Sequence, residues 1–137
     1  MSSLKQIRQA QKWAGRQGQV IQQLNSLVKD IERCERSIIE LKSELENVNQ
    51  KHQGRRTTRE DIAYLTDLLA CANKKLTWEK HMASLQKRTP QILEELNRVR
   101  NDPKNPPTEE SNAQMLRALQ AVQAAMERLQ AAKPEQS

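Results

Sequence analysis

The chain has 137 residues, of which 36% are hydrophobic and 29% are charged, and its formal net charge at pH 7 is +6. Average globular chains are about 45–50% apolar by a count that includes glycine, so this composition disfavours a compact sphere and suits a rod of helices. No stretch approaches the roughly 20 apolar residues of a membrane span, and the basic N-terminus lacks the apolar segment of a secretory signal. We therefore expect no membrane span and an intracellular location, cytoplasmic or nuclear.

The first predicted helix, about residues 3–53, carries a line of residues at alternating spacings of four and three. A strand would repeat every two residues, so this spacing is typical of a helix packed along another helix. All but the last member of the line are apolar: Val20, Leu24, Leu27, Ile31, Cys34, Ile38, Leu41, Leu45, Val48 and His52. We expect six of them to form a seam for a partner helix, namely Leu24, Leu27, Ile31, Ile38, Leu41 and Leu45.

The flank of this line changes along the helix. Ile21 and Val28 make the N-terminal half apolar beside the seam, whereas Glu35 and Lys42 occupy the equivalent places further on. A wide apolar face contacts more than one neighbour. The sequence therefore predicts packing of three helices near the N-terminal half and of two helices beyond it.

A short turn at 54–57 follows. Gly54 suits the left-handed residue after a helix end, and Thr57 with Glu60 has the spacing of a capping box that starts the next helix. So short a connection favours an antiparallel hairpin, which we expect to span residues 1–101.

The second predicted helix, about 58–100, carries two apolar lines. One follows the spacing of the first helix: Tyr64, Leu68, Cys71, Lys75, Trp78, Met82, Leu85, Thr89, Ile92, Leu96 and Val99. The other lies beside it: Ile62, Leu65, Leu69, Ala72 and Leu76. The first line keeps its phase across Pro90, which predicts one helix kinked near that residue rather than two helices.

The prolines of residues 102–107 predict a loop, and Thr108 begins a third helix at 108–133, followed by a tail at 134–137. Met115, Leu119, Val122 and Met126 form an apolar line on it, either as a seam for a partner helix or as the core of a self-contained three-helix bundle. The expected fold class is all-α: an elongated, coiled-coil-like antiparallel helical hairpin plus a shorter third helix, with a three-helix bundle at the open end.

The chain offers little for catalysis. Cys34 and Cys71 sit at helix-periodic positions, which favours buried free thiols over a disulfide across the hairpin. His52 suits a helix end or solvent, and neither it nor His81 belongs to a metal-binding motif. We therefore expect no catalytic residue, no metal site, no cofactor, no small-molecule substrate and no enzyme activity.

Basic residues gather at both ends of the expected hairpin. Lys5, Arg8, Lys12 and Arg16 form a stripe at the open end, and Arg55, Arg56 and Arg59 cluster at the turn. Such clusters attract acidic partners. The alternative interpretation is that these clusters are ordinary solvated surface.

Two functions follow from these patterns. The first is a structural or adaptor protein, a scaffold that assembles with helices of other proteins or with itself. The alternative is an electrostatic binder of an acidic polymer through the basic hairpin ends, for example an acidic cytoskeletal filament such as a microtubule tail, or nucleic acid.

Overall fold

The computed structural model describes residues 4–54 and 56–133, leaving aside the side chains of residues 5–14. Within these ranges the chain forms three helices: α1 (Leu4–Lys51), α2 (Thr58–Arg100) and α3 (Glu109–Ala132). The expected all-α fold class is confirmed.

The turn between α1 and α2 is built as its residues predict. Gly54 has a φ of +89°, in the left-handed region that a side chain disfavours. The hydroxyl of Thr57 accepts the backbone N–H of Glu60 at 3.2 Å, and the Glu60 carboxylate accepts the Thr57 N–H at 3.2 Å. This capping box satisfies backbone donors that the first turn of α2 would otherwise leave unpaired.

Ion pairs between α1 and α2 show that the two helices pair in an antiparallel register. Near the middle of the hairpin, Nη2 of Arg88 lies 2.6 Å from Oδ2 of Asp30. Arg16 pairs with Glu95 toward the open end, with 3.4 Å between the charged atoms. Since the numbers rise along one helix as they fall along the other, the two helices run antiparallel throughout.

The seam of α1 forms the core. Seven members of its line are buried: Val20, Leu24, Leu27, Ile31, Cys34, Ile38 and Leu41. Leu45 and Val48 pack against them near the turn. The α2 residues that meet this seam are those of its first apolar line, with Cys71, Trp78, Met82, Leu85, Leu96 and Val99 buried.

α2 continues through Pro90 rather than ending there. Proline lacks the N–H that would bond the carbonyl of Gln86. In the preceding turn, the Thr89 hydroxyl donates to the Leu85 carbonyl at 2.7 Å. Buried Leu85 before Pro90 and buried Leu96 after it, with partly buried Ile92 between them, keep α2 on α1. Tertiary packing therefore outweighs the local cost of the proline.

α3 packs on α1 and runs parallel to it. Thr108 caps its first turn by accepting the Ser111 N–H at 3.0 Å, and Arg128 near its end lies 3.7 Å from both Glu32 and Glu35 of α1. Its buried face consists of Met115, Ala118, Val122, Ala125 and Leu129. α3 thus accompanies the N-terminal part of α1, where the sequence predicts a third helix.

The three helices are not equivalent. α1 packs against both α2 and α3, whereas the described parts of α2 and α3 touch each other only marginally. Consequently α1 is the central helix, against which both of the others pack. An open cleft runs between the other two helices.

Candidate helix-binding surface

The residues expected to form a partner seam on α1 are covered by the chain's own helices. Leu24, Leu27, Ile31 and Ile38 are at most 1% exposed. Met115 and Val122 of α3 are buried as well, while Leu119 and Met126 remain partly exposed beside them. The surface free for another protein therefore lies elsewhere.

The second apolar line of α2 is uncovered. Ile62 is 61% exposed, Leu65 63%, Leu69 62% and Leu76 55%. Scattered surface leucines are ordinary, but four large apolar side chains at helical spacing form a continuous feature. We call these four residues, with Ala72 between them, the outer line of α2.

The position of the outer line follows from helix geometry. At about 100° per residue, the line through Leu65 and Leu69 lies roughly 150° around α2 from the buried line through Cys71 and Trp78. It faces away from α1. α3 does not reach it, because the last ion pairs of α3 meet α1 at Glu32 and Glu35, well before the turn.

Charged and small polar side chains border the outer line. Asp61 stands near its start and pairs with Arg56 at 3.2 Å. Lys75 stands near its end and pairs with Glu79 at 3.9 Å. All four of these pairing groups are partly or largely exposed, so their ion pairs are weak and open to exchange.

A second uncovered surface is the cleft between α2 and α3, with a volume of about 480 Å³. Leu93 of α2 forms one wall and is 36% exposed. Leu119, Val122 and Met126 of α3 form the other wall, with Thr89, Gln123 and Glu127 at the edges. Most of the lining of this cleft is therefore apolar.

On the opposite side of the hairpin, a polar groove of about 240 Å³ runs between α1 and α2. Cys34 and His81 both line it, together with Asp30 and Arg88. Burial raises the pKa of the Cys34 thiol, and the Asp30 carboxylate raises it further. The thiol is therefore held in its neutral form, the opposite of what a nucleophilic cysteine requires.

The turn holds a polar cluster that sequence patterns do not reveal. Nε2 of His52 lies 2.9 Å from Oδ2 of Asp67, and the His52 ring meets the Tyr64 ring edge-on at 5.2 Å. The His52 side chain is only 7% exposed and follows the last residue of α1, so of the two expected placements, a helix end or solvent, the structure has the helix end. The Arg56 guanidinium lies 4.2 Å from the centre of the Tyr64 ring.

The expected basic clusters are partly placed. Lys5, Arg8, Lys12 and Arg55 fall outside the described side chains. Arg16 pairs with Glu95, and Arg56 is engaged by Asp61 and by the ring of Tyr64. Arg59 is exposed on the first turn of α2.

The described part of the chain shows neither a metal site nor a membrane-spanning helix. No group of three or more histidine, cysteine or acidic residues is arranged to hold a metal ion within 4–54 and 56–133. Over the same described residues, no helix combines the length and the apolar character needed to cross a membrane.

Comparison with protein-family models, with curated proteins and with solved structures gave no match to this chain.

Proposed function

We propose that this protein is a non-enzymatic structural or adaptor protein that assembles with partner helices, and that the outer line of α2 is its principal contact surface. One observation carries the proposal. Four large apolar side chains, each more than half exposed, follow together with Ala72 a spacing of three and four residues on the half of the hairpin that α3 leaves uncovered.

The physical argument concerns what the outer line gains by being covered. A leucine moved from water to an apolar contact gains about 1.5–3 kcal/mol when its burial is complete. A partner helix laid along the line buries Ile62, Leu65, Leu69 and Leu76 together, because residues three and four apart share one face. In this mode of recognition, an amphipathic helix lies along an apolar stripe and contacts it through its own apolar residues three and four positions apart.

The test compares two glutamate variants of the full chain in extracts of cells that produce it. Leu69→Glu places a charge at the centre of the outer line, whereas Ala70→Glu places the same charge on the neighbouring exposed face of α2. Circular dichroism of the purified variants establishes that both remain folded. Sedimentation of the extracts then reports the size of the particle that contains the protein.

We expect the wild type and Ala70→Glu to sediment in an assembly well above the 15.8 kDa of one chain. Leu69→Glu should sediment as the single chain. Sedimentation of all three as a 15.8 kDa monomer would refute the proposed function. So would an assembly that Leu69→Glu leaves intact, because its contact surface would then lie elsewhere.

A further inference from the structure

We propose that the outer line of α2 pairs two copies of this chain as an antiparallel dimer. The inference rests on the proposed function, since it names the occupant of the same surface. The partner we propose is a second copy of the chain. When two outer lines are laid antiparallel, the apolar residues, the charges and the length of one line match those of the other.

The apolar residues fit first. We lay α2 antiparallel on the α2 of a second copy, with the two-fold axis at the level of residue 67. The outer line, extended by Thr58 four residues before Ile62, then packs against the same line of the other copy in successive layers. Each small residue then faces a large one, which is how close packing is achieved without gaps. The layers pair Thr58 with Leu76, Ile62 with Ala72, and Leu65 with Leu69.

The charges fit in the same register. In antiparallel helix pairs, residues on one flank of the apolar line face the same flank of the other helix. Asp61 of each copy therefore comes opposite Lys75 of the other, at both ends of the pair. Both side chains are about half exposed and are available to exchange their present partners, Arg56 and Glu79.

The other flank is neutral at its centre. Thr66 faces Thr66 of the second copy, and Arg59 comes opposite Asn73. A parallel arrangement of the two helices is poorer both in apolar packing and in the pairing of charges. It sets Ala72 against Ala72, which leaves a gap, and brings Lys75 beside Lys80 of the other chain, which is repulsive.

The size of the contact fixes its expected strength. The overlap covers about twelve residues a side, whereas interfaces of standard size have roughly 20–30. We therefore expect a dissociation constant on the order of micromolar. Because the same patch is used on both copies, the assembly closes at two chains.

The first test is analytical ultracentrifugation of the purified full chain over a range of concentrations at low salt. Leu69→Glu should weaken the dimer at least 100-fold, since it buries an unpaired charge at a central layer. Lys75→Asp should weaken it about tenfold, because it turns two attractions into repulsions. Asp61→Lys with Lys75→Asp should recover most of the wild-type affinity, and Lys87→Asp, beyond the overlap, should change nothing.

The second test reports orientation. A cysteine introduced as Thr66→Cys lies at the two-fold axis only in the antiparallel register. A short bifunctional maleimide should therefore link two chains. The same change at Ala63, an exposed residue of α2 that lies away from the outer line, should not give linked dimers. The native Cys34 and Cys71 are 5% and 4% exposed in the folded chain, which keeps their background low.

The outcomes separate this inference from the proposed function. A purified chain that stays monomeric at concentrations of several hundred micromolar would overturn the dimer. If the extract still contained an assembly that Leu69→Glu disperses, the outer line would bind a different protein and the proposed function would stand. A dimer in which the paired charge reversal fails to restore affinity, or in which Thr66→Cys does not cross-link, would contradict the antiparallel register.

Discussion

The imidazole of His52 and the carboxylate of Asp67 close the turn end of the hairpin, with 2.9 Å between Nε2 and Oδ2. They come from the residue that follows α1 and from the third turn of α2, so the contact fastens the two helices where α3 gives no support. The hydrogen bond from His52 lowers the pKa of Asp67 below its ordinary value, with a smaller contribution from Lys51.

This lowered pKa predicts a pH dependence of stability. A carboxyl whose folded pKa lies below its unfolded value, about 3.9, binds more protons when unfolded, so its contribution is complete above that value and is lost as the pH falls through the folded pKa. We expect Asp67→Asn to lower the free energy of unfolding at pH 7, and the gap from wild type to close on acidification. Urea unfolding at a series of pH values measures it, with the exposed Glu46→Gln as control. A gap that stays constant with pH would show that Asp67 acts through packing instead.

The neighbouring residues Ile38 and Ile39 offer a matched pair for the core. Ile38 is fully buried, whereas Ile39 is 52% exposed. Ile38→Ala should therefore cost about 2–5 kcal/mol through lost burial and a residual cavity, while Ile39→Ala should stay within about 0.5 kcal/mol. Denaturant unfolding of the two variants is the measurement, and equal losses would contradict the assignment of the seam.

The docking of α3 is tested by two adjacent alanines. Ala125 is fully buried in the contact with α1, and Ala124 is exposed. Ala125→Leu should overpack the contact and destabilise the bundle by about 1–3 kcal/mol, whereas Ala124→Leu should be nearly neutral. Amide exchange should rise in residues 109–132 for the first variant only. Protection of α3 that survives Ala125→Leu would argue against this packing.

The Cys34 thiol should react slowly. Burial and the Asp30 carboxylate raise its pKa, so little thiolate exists at neutral pH. Titration with a thiol-specific chromogenic reagent should show slow modification in the native protein and fast modification in denaturant. Asp30→Asn should speed the native reaction modestly, since burial is the larger cause. Rapid labelling of Cys34 in the native chain would contradict its placement in the core.

The sequence predicts the helices and their buried lines because periodicity states which side chains share a face. The seam of α1 and the apolar flank at Ile21 and Val28 foreshadow the core and the docking of α3. Periodicity does not state what covers a face. The line of Ile62 and Leu69 therefore looks like core in the sequence and is exposed in the fold.

Helical periodicity does not predict contacts between residues that are distant in the chain. His52 meets Asp67 only because the turn sets the register of α2 on α1, and a shift of one residue would remove the contact. The same holds for the cleft beside Leu93. The cleft exists because α2 and α3 both pack against α1 rather than against each other. The apolar lines of the three helices are compatible with this arrangement but do not determine it.

The marginal contact of α2 with α3 makes the stability of this rod uneven along its length. Where α3 packs on it, α1 is held from two sides, while near Gly54 it is held from one. Local opening costs least where fewest apolar contacts must be broken, so amide exchange should be fastest around the turn. The end that carries the outer line is then the end with most to gain from a bound helix. A helix bound to the outer line should therefore slow amide exchange in residues 58–76 before it changes exchange in any other part of the chain.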